Sequence, residues 1–257
     1  VTAADFTEYC VTAPSDARLA DGGGNRICGL YDVSSWKFGQ VNNLVTKAST
    51  FGDQSEVYNG VDLTINARFG QGGLLSGGMN TGQTVTDNCY QNARPDLLAS
   101  GALAVHPRTD AYCHATLSWG EQTQVKFSGS YPLPWDLHVS GAYQNIPGLA
   151  RLAANVFTNA QIVPGLGRNL AAGSRGTVTV DLIEPNSAFE DRINQLDLRL
   201  IKSLQFGGAR VQAMFDVYNV LNANPVLLMN TTYGPNWLKP TQILGARLFK
   251  FAGQLDW

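Results

Sequence analysis

Charge is scarce in this sequence. Only 15% of its 257 residues are Asp, Glu, Lys or Arg, against roughly 25% in a typical soluble domain, so this composition is poorly suited to a surface that meets water on every side. The few charges nearly cancel. A net charge of −2 and a pI near 5.9 leave no basic stripe, which excludes nucleic acid as a partner. Long apolar runs are missing too, and without about 18 consecutive apolar residues no transmembrane helix forms. Histidines number three, His106, His114 and His138, and they are scattered. No GxSxG, HExxH or P-loop occurs, and the glycine-rich "GLGRN" at 165–169 lacks the strand and helix that a phosphate site needs. No catalytic group, metal or cofactor is therefore expected. The opening "VTAADFTEYC" has no basic, apolar, small-residue order, so either the mature chain begins there or further sequence precedes it.

Cysteine is limited to four residues. Proximity pairs Cys10 with Cys28 and Cys89 with Cys113, in turn-rich surroundings without CxxC spacing, which favours loop disulfides over a zinc site. Disulfides imply an oxidising compartment. Four reduced, buried cysteines are the alternative.

What the sequence does contain is period-two alternation. In "VDLTINARF" the apolar Val61, Leu63, Ile65, Ala67 and Phe69 alternate with Asp62, Thr64, Asn66 and Arg68, the pattern of a strand with one apolar and one polar face. The same alternation returns in "QVKFSGSY", "WDLHVSGAYQ", "NQLDLRLIK", "RVQAMFDVYN" and "LFKFAGQLDW", and more weakly in "GLLSGGMNTG". Tight turns "GQGG", "PLP" and "QFGG" join some neighbours. Long connections, 84–121, 146–191 and 223–242, join the others. Short and long alternate strictly, so the short turns gather at one end of the sheet and the long loops at the other. Outer-membrane β-barrels share this asymmetry, with short periplasmic turns and longer outside loops.

About seven spanning strands are legible, too few to close where an even count is expected. The expected architecture is therefore all-β: the C-terminal part, 56–257, of a larger antiparallel transmembrane barrel, with 1–55 an extracellular loop region carrying Cys10 and Cys28. On the last strand Phe249, Phe251, Leu255 and Trp257 share one parity and would face lipid. Gly253 allows close approach, and Trp257 would sit in an interfacial aromatic belt. A terminal aromatic after alternating apolar residues resembles the assembly signal read by the outer-membrane insertion machinery.

The segments "EVYNGVDLTINARF", "QVKFSGSYPLPWDLHVSGAYQNIPG", "RINQLDLRLIKSLQFGGARVQAMFDVYNVLNANPVL" and "TTYGPNWLKPTQILGARLFKFAGQLDW" resemble the C-terminal barrel portion of TonB-dependent outer-membrane receptors. The likeness is strongest to the sub-group with an N-terminal carboxypeptidase-regulatory-like domain. It runs from about residue 30 to the end. The resemblance implies a plugged barrel of about 22 strands in the bacterial outer membrane, importing a nutrient of siderophore, carbohydrate or peptide class. It further implies an upstream plug and a periplasmic energy-coupling partner, for which this sequence has no counterpart.

Within that frame Asp62, Arg68, Lys126, Asp136, Asp197, Arg199 and Asp216 would face the lumen, where they line a passage, grip a plug or simply keep the interior wet. Loop aromatics Trp36, Tyr90, Trp119, Tyr233 and Trp237 could stack on a ligand or pack the loops. A secreted soluble β-sandwich, possibly carbohydrate-binding, accommodates the same strands and disulfides, but it would turn its apolar faces inward.

Overall fold

The computed structural model describes residues 1–40, 45–92, 94–97 and 112–257. In chain order the strands are β1 (Phe6–Thr12), β2 (Arg26–Val33), β3 (Ser55–Phe69), β4 (Gly73–Asp87), β5 (His114–Leu117), β6 (Gln124–Leu133), β7 (Leu137–Ile146), β8 (Ala154–Thr158), β9 (Thr177–Asp181), β10 (Ile193–Phe206), β11 (Ala209–Tyr218), β12 (Val226–Met229), β13 (Pro240–Ile243) and β14 (Leu248–Asp256). Two helices, α1 (Trp119–Gln122) and α2 (Asn159–Leu166), accompany them.

Seven long strands form one antiparallel meander in the order β3-β4-β6-β7-β10-β11-β14, with β5 added to the end of β4. Among the described residues the sheet is open, with β3 and β14 each paired on one side only. Strand neighbours follow sequence order because each pair is joined either by a tight turn or by a long excursion that returns beside its origin. One expected boundary is displaced. β6 runs on to Leu133, and the turn is made by Pro134, Trp135 and Asp136, with φ of 63° at Trp135 and 55° at Asp136. Positive φ at successive turn positions matches the right-handed twist of the flanking strands.

Register fixes what each face carries. One row crosses all seven strands as Ala67, Leu75, Gly129, Gly141, Leu198, Val217 and Phe249. The adjacent row, one residue on, is Arg68, Leu74, Ser130, Ser140, Arg199, Asp216 and Lys250. Because the side-chain period is two, successive rows alternate between the faces, although toward the short turns the polar-face row Pro132, His138, Ile201, Met214 and Ala252 is mostly apolar. Nothing covers the apolar face among the described residues: Leu63 is 55% exposed and Phe251 78%, and the remaining sheets are two-stranded hairpins. A sandwich would have packed these side chains into a shared interior.

The buried core lies elsewhere. Segment 1–55, expected as a loop, contains the β1–β2 hairpin closed by the Cys10–Cys28 disulfide. That hairpin packs with the β7–β10 connection, which holds β8, α2 and β9, and with the β11–β14 connection around Trp237. Tyr9, Leu30, Phe157, Ile162, Val180 and Trp237 meet in one cluster, forming a cap built from the long connections. The local sequence explains α2. Thr158 and Gln161 form a capping box, the Thr158 N–H donating to Gln161 Oε1 at 3.0 Å, and Gly167 at φ 77° ends the helix. Gly165 faces the hairpin so closely that a Cβ there would fall on the Cys10 carbonyl oxygen. The separate β4–β6 connection is tied by the Cys89–Cys113 disulfide.

If the cap owes its order to this cluster, Phe157→Ala, which empties a fully buried site, will destabilise it by about 3–5 kcal/mol. The expected readout is faster proteolysis within residues 147–192 with the β-sheet circular dichroism of the wall retained. Unchanged cleavage kinetics would contradict the assignment.

Candidate functional site

Two regions hold organised polar groups, the polar face of the wall and the cap. On the wall, period-two alternation and antiparallel register bring Asp62, Arg68, Lys126, Asp197, Arg199 and Asp216 to one face. Asp136, expected with them, belongs instead to the β6–β7 turn, where its carbonyl accepts the Ser203 N–H at 3.0 Å. The reason is the turn itself, which takes Trp135 and Asp136 out of the alternating strand.

Most acids on this face are bound within it. Asn80 donates its amide to Asp62. Asp197 accepts both its neighbour's amide, Gln195 Nε2 at 3.1 Å, and the Asn219 N–H at 2.7 Å. Asp216, only 2% exposed, is gripped by the Arg199 fork at 2.6 and 3.0 Å and by the Tyr218 hydroxyl at 3.3 Å. Paired, bidentate Arg–carboxylate geometry is what makes a carboxylate at such a site tolerable. Gln144 donates to Gln195 at 2.9 Å and Ser76 to Asn66 at 2.7 Å, so a ladder of amides and hydroxyls runs between the charges. Small side chains leave hollows of about 370, 420 and 550 Å³, each lined in part by Ser76.

The terminal strand β14 pairs with β11 so that Phe251 faces Phe215, ring centroids 4.9 Å apart, and Phe249 lies 6.0 Å from the same ring. Phe249, Phe251, Gly253 and Leu255 share the apolar face, and Trp257 follows the strand, exposed.

In the cap, Asp16 is the focus. Its carboxylate accepts the Arg18 guanidinium at 2.7 Å, the Arg18 backbone N–H at 2.9 Å and the Tyr233 hydroxyl at 2.9 Å. The Arg18 side chain lies over the Trp237 ring, 5.2 Å from its centroid, and Trp237 Nε1 donates to the Leu152 carbonyl at 2.7 Å. Hydrogen bonds from the Arg18 side chain, then from its backbone, hold the Asp16 carboxyl far below the usual carboxylate range. A second clamp joins Arg168 to the Asp32 carboxylate and, at 3.0 Å, to the Val33 carbonyl. Burial, followed by the charge of Asp32, pushes the nearby Tyr9 phenol up.

The loop aromatics divide. Trp237, 4% exposed, and the partly buried Tyr233 pack in the cap core, with their polar atoms bonded as described. Tyr90 packs where a Cβ on Gly52 would stand. Trp36, 74% exposed, and Trp119, at the start of α1, present their rings to solvent. His114 Nδ1 lies 3.0 Å from Asp87 Oδ2, His138 follows Leu137 on the polar face by register, and His106 lies outside the described residues. Among the described residues no group of three or more His, Cys, Asp or Glu is placed to hold a metal ion. The cap cluster had no signal in the sequence, because Asp16 and Tyr233 are 217 residues apart and no periodicity links them.

Comparison with family models, with curated proteins and with solved structures finds no match to this chain.

Two outcomes follow from these contacts. Asp16 is held below its ordinary pKa of 3.8, so its contribution to the cap is complete above that value and disappears as pH falls through it toward the lowered folded value. Cap proteolysis should therefore accelerate below about pH 4 in the native chain, whereas Asp16→Asn should cleave faster at neutral pH and lose that acid dependence. A parallel pH response in both would remove Asp16 as the cause. Arg199→Met strands the Asp216 carboxylate and should lower the thermal midpoint of the wall, with partial recovery in the Arg199→Met, Asp216→Asn double variant.

Proposed function

We propose that this chain forms the C-terminal wall strands and the outer cap of a transmembrane β-barrel in the bacterial outer membrane, part of a TonB-dependent receptor that binds a nutrient outside the cell and imports it. The observation that carries this reading is the division of surfaces. Seven consecutive strands expose an apolar face while their opposite face is polar and hydrogen-bonded, and the buried core sits in the loops. Hydrocarbon on the first face and water on the second would satisfy both.

Other features support it. The wall strands have 9 to 15 residues, enough for a tilted crossing of about 9–11 residues. At the short-turn end Phe69, Tyr131, Trp135, Phe206 and Trp257 gather, as an interfacial aromatic belt requires. Phe69 and Tyr131 stack at 5.7 Å, and Lys202 reaches the Trp135 carbonyl along that rim. The unpaired edges of β3 and β14 would be closed by further strands of the same polypeptide, about 22 in all for a plugged transporter. In this reading the plug and the segment that meets the periplasmic energy-coupling protein are encoded ahead of Val1, and the disulfide-bearing connections face the outside.

Expression of the chain with its upstream coding sequence in a Gram-negative host, followed by fractionation, tests this. The protein should enter the outer-membrane pellet, require detergent for release, and shift in gel mobility on boiling. Recovery from buffer as a detergent-free monomer would overturn the reading.

A further inference from the structure

Among the cations of the polar face without an ion pair among the described residues, Arg68, Lys126, Arg210 and Lys250, Lys126 alone lines the hollows. Lys126, the third residue of β6, shares its cross-strand row with Thr64, Gly78, Gln144 and Gln195, none of them charged. The flanking row places Ser76, Ser128 and Ala142 on β4, β6 and β7, so a long cationic side chain rises from a floor of small ones. Two hollows, about 370 and 420 Å³, are both lined by Lys126.

The nearest acids by register are Asp62 and Asp197, each two strands away, a spacing of about 10 Å. Each is already engaged, Asp62 by Asn80 and Asp197 by Gln195 and the Asn219 N–H. Arg199, by contrast, has its own carboxylate in Asp216. Among the described residues the Lys126 ammonium has no ion-pair partner. The hollows it lines are bordered mainly by amides and hydroxyls, with Asp197 at the edge of one and Asp62 at the edge of the other.

We propose that this hollow binds a hydroxylated organic acid, with Lys126 holding its carboxylate. The ammonium supplies a point charge and hydrogen-bond donors. Gln124, two residues along the same strand, and Gln144 in the same row offer amides to flanking polar groups, and the Ser76 and Ser128 oxygens accept from hydroxyls on the floor. A lysine without an adjacent free guanidinium fork suits a single carboxylate better than a bidentate phosphate contact. The inference rests on the barrel reading for its biological sense, since the polar face would then line the import route. It deepens that reading by giving the cargo a charge and a class.

The test exploits the cysteines. All four are paired in disulfides, so Ser128→Cys in the full-length protein adds a thiol to the floor of the hollow. Its labelling is measured with anionic 2-sulfonatoethyl and cationic 2-(trimethylammonio)ethyl methanethiosulfonate. With each rate normalised to that reagent's rate on a small free thiol, the anionic reagent should be favoured on the order of fivefold, the factor that a unit charge about 7 Å away exerts on oppositely charged reagents in water. Lys126→Gln in the same background should remove that preference, and Lys126→Arg should keep it. Trigalacturonate should slow the labelling, its methyl ester should not, and Lys126→Gln should abolish the protection. Equal protection by acid and ester, no protection by either, or a reagent preference untouched by Lys126→Gln would each overturn the proposal. A thiol unreactive to both reagents would also overturn it, by showing that the chain itself fills the hollow. Detergent dependence of the same Ser128→Cys protein is scored separately, so a failed barrel reading and a failed site are told apart.

Discussion

Lateral hydrogen bonding between strands governs the rest of this molecule. Once a meander pairs its backbone groups edge to edge, the side chains have only two directions in which to point, and the period of two assigns them without exception along each strand. Here the assignment puts the paired charges on one face and most of the large apolar side chains on the other, with Leu74, Ile201 and Met214 as exceptions. A sheet so divided cannot be stabilised in water by its own greasy side, because nothing in the described chain covers it. On the other face, internal hydrogen bonds such as Asp62 with Asn80 and Arg199 with Asp216 hold neighbouring strands together.

The cap follows the opposite logic. It buries aromatic and aliphatic side chains in the manner of a small water-soluble domain, with Phe157, Ile162 and Trp237 inside and charged clamps at its margins. Small domains gain from covalent ties, and the Cys10–Cys28 bond closes the hairpin that supplies Tyr9 and Leu30. Two kinds of order therefore coexist in one chain, a sheet with an uncovered apolar face and a cluster with a buried interior.

The sequence disclosed these two parts unequally. Period-two alternation is a local signal, so the seven wall strands, their faces, and the polar placement of Lys126, Arg199 and Asp216 were all legible, as was the terminal strand. Asp136 was misassigned because a three-residue turn with positive φ interrupts the alternation without any glycine to announce it. The cap was illegible for a different reason. Its core joins residues near the start of the chain to residues near its end, and segments such as 146–191, rich in Gly, Asn and Pro, read as loop because their order is supplied by tertiary contact rather than by pattern. Tyr233 and Trp237 show the same limit: an aromatic in a long connection carries no mark of whether it packs or binds.

The reach of the Arg18 side chain, which donates to a carbonyl 219 residues further along, bears on timing. The hairpin finds its packing partners only in residues 152–182 and 230–238, contacts of long sequence separation that form slowly. The covalent loop between Cys10 and Cys28 restricts the hairpin on its own, independently of those distant partners.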